Sequence, residues 1–323
     1  MKYEISVIIP IYNTSLYLED AINSLINQTI FDKIEVIFVN DGSSDNSGDI
    51  CEHYANKYNN FKVIHQKNMG VSAARNTGLR HVKGKYVTFM DSDDVIESDL
   101  YEKELNAITT GNYDILITDF LKEHKDGTIK KYRTNFKKEW NDSQNAIIDF
   151  FKGIIGGQVV DKIFLYDKVK DIRFSTKYKI GEDMLFTYKA ILNSRNIMMD
   201  TNISGYKYII RSSSAMTGQF TNKYLEPIKI SKEMYEDCKH NNVLERYAKA
   251  HLIHESCKTL EYIYRHKSEK DFYEYVRKIK KFISEYNILE AYKCLIKKQF
   301  FGFLLIRFSP RLYLLVHKIM HIG

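Results

Sequence analysis

The sequence predicts an α/β fold: a mixed, largely parallel sheet flanked by helices, followed by a helical C-terminal appendage. Three observations predict it. Four short apolar runs alternate with amphipathic helical patterns through the first hundred residues. Each run gives way to polar or anionic residues. From about Thr221 the pattern changes to long helical stretches rich in Lys, Glu and Tyr. Apolar runs of this length separated by amphipathic helices imply βαβ units and a sheet covered on both faces.

The elements follow in order. ISVIIP (5–10) is the first run, and residues 15–28 then place Leu18, Ala21, Ile22, Leu25 and Ile26 on one helical face. IEVIFV (34–39) is the second run, followed by a helical pattern over 46–58 with Ile50 and Tyr54 inward. FKVIH (61–65) precedes a helix over 71–82, and KYVTFM (85–90) is the fourth run. Beyond it, YDILITDF (113–120) reads as a strand, DGT (126–128) as a turn, and SQNAIIDFFKG (143–153) as a helix. Gly153, Gly156 and Gly157 read as a flexible connection, GEDMLFTYKAILN (181–193) as a helix with an acidic start, and GYKYII (205–210) as a late strand. The expected organisation is an α/β domain over 1–220, in two parts, 1–95 and 96–220. A helical region over 221–323 completes it.

Composition narrows the classes. With 323 residues, 44% hydrophobic and 28% charged, the chain is globular. Cys51, Cys238, Cys257 and Cys294 are too scattered for a zinc site or a disulfide framework, and read as idle thiols in a reducing compartment. The start, MKYEISVIIPIYN, lacks the make-up of a signal peptide, and no run reaches the roughly 18 apolar residues of a transmembrane helix. A cytoplasmic protein is expected. The net charge is +7, and the tail from Ala291 onward carries six Lys/Arg and no Asp or Glu. Those charges are mixed with Phe and Leu, which fits a membrane surface better than a nucleic acid.

In open parallel sheets the ligand lies outside the carboxyl ends of the strands. Four such ends here carry polar groups. Asp91 and Asp93, two apart on a loop, suit a hard divalent cation, Mg²⁺ or Mn²⁺, which takes one or two protein carboxylates and completes its shell with phosphates and water. Asp94 or Ser98 reads as a cap for the next helix, and Ser44 or Asp45 as a cap for the helix after the second run. Asp41, at a strand end, can accept hydrogen bonds from a base or ribose. Asn68, Gly70, Arg75 and Asn76 add a close-approach glycine and a cation that can face phosphate. Glu182 and Asp183 complement a helix dipole, or one of them is a general base.

VIIPIYN, VNDGSSDNS, NMGVSAARNTG, FMDSDD and GEDMLF together resemble the family 2 glycosyltransferases of the GT-A, Rossmann-like fold. The likeness is dense over 5–95 and looser over 160–215. DKIF (161–164) resembles the family's N-K-[LI]-[FY] segment, with Asp161 in place of the commoner Asn, and YKYIIRSSSAM (206–216) its late donor-side loop. The resemblance implies transfer of a sugar, with inversion, from a nucleotide diphosphate donor, UDP-linked by expectation, to an acceptor hydroxyl. It implies nucleotide-sugar contacts at Pro10, Tyr12, Asp41, Asn68, Arg75, Asp91 and Ser92. Asp93 would hold Mn²⁺ or Mg²⁺, and Asp183 would be the base. Arg211 stands where some members have a metal-binding His and would meet the diphosphate instead. Members with basic apolar tails extend lipid-linked glycans for capsule, exopolysaccharide or lipopolysaccharide. The implied partners are therefore such an acceptor and an anionic membrane under 291–320, on the inner face of the plasma membrane.

Two other readings stay open on the residues. DSDDV (91–95) matches the D-x-D-x-[TV] nucleophile motif of haloacid dehalogenase phosphatases, but it follows the fourth apolar run where that motif follows the first strand. A non-catalytic nucleotide-sugar binding protein is the second, against which stand both Asp93 and Asp183. For KCLIKKQFFGFLLIRFSPRLYLLVHKIM (293–320), packing against the rest of the chain competes with lying in a membrane interface, which the charge asymmetry favours.

Overall fold

The computed structural model describes residues 3–124, 126–210 and 221–320. The chain divides into two compact units: Met1–Ala146, Gly157–Lys177 and Glu182–Ser214 form the first; Ile147–Gly156, Tyr178–Gly181 and Ala215–Gly323 the second.

The first unit is built on a sheet of strands β1 (Ile5–Ile11), β2 (Ile34–Asn40), β3 (Phe61–His65), β4 (Tyr86–Phe89), β5 (Val95–Ile96), β6 (Ile115–Glu123), β7 (Ile129–Lys131), β8 (Lys137–Trp140), β9 (Lys162–Leu165) and β10 (Ile197–Ile209). Their order is β3-β2-β1-β4-β9-β6-β10-β5, with β7 beside β6 and β8 beside β10. The first four strands are mutually parallel, β9 is antiparallel to β4 and β6, and β10 runs parallel to β6. The helices are α1 (Ser15–Ile26), α2 (Ser47–Lys57), α3 (Val71–Leu79), α4 (Leu100–Thr110), the start of α5 (Ser143–Phe151), which belongs to the second unit from Ile147, α6 (Tyr166–Val169) and α7 (Glu182–Leu192).

Strand β2 is buried along its whole length, as a strand covered on both faces must be. Its one carboxylate, Glu35, accepts from the Ser6 hydroxyl at 2.6 Å and from the Lys83 main-chain N–H at 2.9 Å, which keeps a buried acid satisfied. Helix α1 buries Leu18, Ala21, Ile22 and Leu25, the face its spacing predicts. Helix α3 lies so close to β1 that a Cβ on Gly78 would sit 2.4 Å from Ile8 Cγ2.

The structure differs from the sequence reading at β5, β7 and β8, which went unread, and in the following places. DKIF contributes strand β9, which its length and single apolar cluster did not reveal. The late strand is longer than 205–210 and irregular in register beside β6 around Ser204. Gly157, read as a flexible link, is a close-packing glycine: a Cβ there would meet Met184 Cα at 2.9 Å, and its carbonyl accepts from the Thr187 hydroxyl at 2.9 Å.

The second unit is helical: α8 (Glu226–Cys238), α9 (Asn242–Arg265), α10 (Tyr273–Glu285), α11 (Ile288–Cys294), α12 (Lys297–Phe308) and α13 (Pro310–Met320). Pro227 occupies the first turn of α8, where a missing N–H costs nothing. Asn241 caps α9 by accepting from the N–H groups of Val243 and Leu244. The other helices of this unit gather on α9, whose Ile253, Cys257, Leu260 and Ile263 form the core. From α12, Phe303 and Ile306 enter that core, while Phe301 and Phe308 stay exposed. The tail therefore packs along one face and leaves another apolar face open. All four cysteines are buried. Among the described residues no helix is long and apolar enough to cross a membrane.

Candidate functional site

Parallel register brings the carboxyl ends of β1 to β4 to one edge of the sheet, and hydrogen bonds tie their loops together. Asn13, with φ 51°, accepts from the Ser44 N–H at 2.8 Å. Asp45 accepts from the N–H groups of Ser15 and Ser47, both at 3.0 Å, so it holds the first turns of α1 and α2. The capping role read for Ser44 or Asp45 is not filled as expected: Asn46 is at the N-cap position of α2 with no side-chain cap, and Asp45 accepts from the Ser47 N–H one residue on.

Asp41 is buried, and its own N–H donates to the Ile11 carbonyl at 2.8 Å. Its carboxylate accepts from Gln66 Nε2 at 2.7 Å and from the N–H groups of Met69 and Gly70 at 2.9 and 2.7 Å. Asp41 thus shapes the loop that precedes α3. Gly42, with φ +72°, lies so near this loop that a Cβ would stand 2.8 Å from the Asn68 nitrogen. Pro10 is half-buried, and Tyr12 and Asn68 are exposed at the same edge.

Arg75 is the hub. It projects from α3 with 4% exposure. Its Nη2 meets Asp91 at 3.1 Å, and its Nη1 meets Asp183 at 2.6 Å and Glu182 at 3.3 Å. Its guanidinium also lies 5.4 Å from the Phe174 ring centroid. One cation thus joins the end of β4 to the start of α7. Burial alone would lower the Arg75 pKa, but Asp183, Asp91 and Glu182 more than reverse that and raise it. Burial raises the Asp183 pKa against the pull of Arg75. Burial, and then the Asp183 charge, pushes Glu182 up to about 7. Asp183 keeps 24% of its side chain exposed.

Asp94 is not a helix cap. It is 1% exposed, and its carboxylate accepts from the Tyr206 hydroxyl at 2.7 Å and the Ile209 N–H at 3.0 Å. Tyr206 in turn accepts from the Asp91 N–H at 3.0 Å. Helix α4 has Asp99 at its N-cap position with no side-chain cap, so Ser98 does not serve either. Burial and the nearby Asp91 push Asp94 up to about 8. This latch fixes the Asp91–Asp94 loop to β10 and leaves Asp91 and Asp93 half-buried, with Ser92 buried between them. Among the described residues no group of three His, Cys, Asp or Glu is placed to hold a metal. A loop of one or two carboxylates suits a divalent cation that shares its shell with diphosphate oxygens and water, so the donor set fits. Arg211 lies outside the described residues.

A neighbouring network went unread in the sequence. Lys162, 1% exposed, donates to Asp161 Oδ1 and to the Gln158 carbonyl, each at 2.6 Å. Asp161 Oδ2 accepts from Arg133 at 3.0 Å. Burial lowers the Lys162 pKa, and its charge acts on Asp183 in the direction that favours the carboxylate. The one available signal was an Asp-Lys pair opening an apolar segment.

The family model described as glycosyl transferase family 2 matches residues 6–173. Over 228 residues, 69% of this chain, the sequence is 37% identical to the minor teichoic acid biosynthesis protein GgaB of Bacillus subtilis, of whose length it spans 25%. Over 252 residues it is 32% identical to the putative glycosyltransferase EpsH of B. subtilis, covering 76% of this chain and 72% of EpsH. The crystal structure of S. aureus TarS 1–349 in complex with UDP-GlcNAc matches with a TM-score of 0.67 at 23% identity, over 95% of this chain and 91% of that one. That likeness is one of fold.

Proposed function

Because the chain belongs to glycosyl transferase family 2, we propose that it moves a sugar from a nucleotide diphosphate donor, UDP-linked, to a hydroxyl of a cell-surface glycan precursor, with inversion. The observation that carries this reading is Arg75, which gathers Asp91 from the end of β4 and Asp183 from the start of α7 around one guanidinium. A donor site and a base site are thereby adjacent.

Pro10, Tyr12, Asp41 and Asn68 border the nucleotide, Asp41 by holding its loops in shape. Asp91 and Ser92 lie by the ribose and diphosphate, and Asp93 would hold Mn²⁺ or Mg²⁺. That ion, when bound, stabilises the charge of the departing nucleoside diphosphate. Arg211 is assigned to the diphosphate on the resemblance alone. Asp183 takes the proton of the acceptor hydroxyl as its oxygen attacks the anomeric carbon opposite the leaving group. A carboxylate whose pKa is raised is the better base, and Asp183 is raised. Arg75 orients Asp183 and opposes the rise in its pKa that burial causes. The phosphatase and binding-protein readings gain no observation. We further place the enzyme in the cytoplasm at the membrane surface, held by the exposed apolar face and basic residues of 291–320.

The test is a panel of nucleotide sugars with Mn²⁺, read by thermal shift and by release of nucleoside diphosphate. One donor is expected to raise the melting temperature and to turn over, since binding to the folded state alone stabilises it. Asp183→Asn is expected to keep the shift and to lose turnover by about 10²–10⁴-fold. Turnover at the wild-type rate in that variant removes the base assignment, and no response to any donor removes the whole reading.

A further inference from the structure

We propose that the helical unit holds a second binding site, for a single hydrocarbon chain headed by a phosphate monoester. A groove of about 400 Å³ runs between α8, α9 and α10. That lies within the roughly 300–1,000 Å³ typical of small-molecule sites. Its walls are apolar: Ile228 from α8, Leu252 from α9, Ile279 and Phe282 from α10. Water in such a groove finds few polar partners, so an apolar occupant is favoured over it.

The rim has one sign of charge. Lys229 and Lys232, three apart and so on one face of α8, line it on one side, and Lys278 of α10 lines it on another. All three are exposed, and among the described residues none of them carries an ion pair. No carboxylate lines the groove. Those nearest in sequence are engaged elsewhere. Glu226 accepts from the N–H groups of Lys179 and Ile180, Glu233 from the Tyr178 hydroxyl, and Glu274 pairs with Arg277.

The occupant must therefore be apolar along its length and anionic at one end. An acidic peptide fails the first condition, because an apolar wall leaves its main-chain N–H and C=O groups unpaired. A neutral chain leaves the lysines unused. Between anionic heads, three ammonium groups match a phosphate monoester, with about −1.5 to −2 charge at pH 7, better than a carboxylate with one. The inference stands apart from the sugar-transfer reading, since it is tested without any nucleotide sugar.

The experiment uses the full chain and dodecyl phosphate below its micellar concentration, titrated by calorimetry. Saturable binding is expected. Dodecyl maltoside is expected to bind at least tenfold more weakly, and inorganic phosphate not to saturate. The triple variant Lys229→Ala, Lys232→Ala, Lys278→Ala changes only exposed side chains and is expected to fold, as a circular dichroism melt reports, with at least tenfold weaker binding of dodecyl phosphate. Ile228→Glu, which puts a carboxylate into the groove, is expected to abolish binding. The proposal is overturned if dodecyl phosphate fails to saturate the wild type, if the triple variant binds it unchanged, or if dodecyl maltoside binds equally well. It is overturned too if the groove proves to join two copies of the chain, seen as a dimer that the lysine variant dissolves in sedimentation while dodecyl phosphate does not bind.

Discussion

A single guanidinium does much of the organising at the residue scale. Arg75 is enclosed, and a buried charge is tolerable only with partners in good geometry; it has three. Removing it strands Asp91, Glu182 and Asp183 together without a counter-charge. Arg75→Met is therefore expected to lower the unfolding free energy by about 3–5 kcal/mol in urea titrations. A loss below about 1 kcal/mol would mean the carboxylates relax into solvent. Arg75→Lys supplies a point charge that cannot fork to both strand end and helix start, and should recover only part of the stability. From sequence, Arg75 was legible as a site residue but its partners were not. A cation before a D-x-D loop and an E-D pair over a hundred residues later are equally compatible with phosphate binding, and only the fold, which sets the start of α7 beside Arg75, decides that the carboxylates reach it first. Asp94 makes the same point from the other side. Its letters suit a cap, but its burial and the hydroxyl of Tyr206, 112 residues away in sequence, make it a latch.

Among the elements, α4 shows how a helix can carry a titrating group into the core. Its buried face holds Leu100, Tyr101, Leu105 and Ile108, together with Glu104. One Glu104 oxygen accepts from the Thr118 hydroxyl at 3.0 Å, while among the described residues the other oxygen and the Tyr101 hydroxyl have no partner. Burial pushes Glu104 up to about 8, against the Thr118 hydrogen bond and with help from the Asp161 charge. A carboxyl raised in the folded state binds its proton more tightly there than in the unfolded chain. Its contribution is complete below the unfolded value of 4.5 and is lost as pH rises through about 8. Melting temperature should thus fall across pH 4.5–8 in the wild type and fall less in Glu104→Gln, the two stabilities diverging by about 2–4 kcal/mol over that range. Parallel curves would show that Glu104 is ionised and hydrated in the fold. A helix after Asp94 or Ser98 was expected, but periodicity cannot say that one of its inward positions is an acid, because a helical stripe read for apolar residues passes over it.

For the molecule as a whole, the proposed membrane contact rests on the tail, because among the described residues no helix is long and apolar enough to cross a membrane. Helix α12 divides its residues: Phe303 and Ile306 are core, and Arg307 donates to the Tyr286 carbonyl at 2.5 Å. Phe301, Phe308 and Leu315 remain 63%, 78% and 57% exposed. Deleting the tail would hollow the core of its own unit, so exposed positions are the ones to change. Wild-type protein is expected to sediment with anionic vesicles and to leave them as salt rises. The variant Phe301→Ser, Phe308→Ser, Leu315→Ser should stay in the supernatant with an unchanged melt. Equal sedimentation of the two, or none by the wild type, rejects the membrane reading of 291–320. By itself the sequence determined the alternation of strand and helix, the four polar strand ends, the family and the helical character of the C-terminal region. These are local or periodic properties, written in the order of side chains along the chain. Tertiary structure alone decided that β9 enters the sheet between β4 and β6, that Gly78 and Gly157 are packing glycines, that Arg75 holds three carboxylates, and which face of α12 is spent on the core. Each depends on contacts between residues far apart in sequence, and close packing and charge pairing in space leave no periodic trace along the chain.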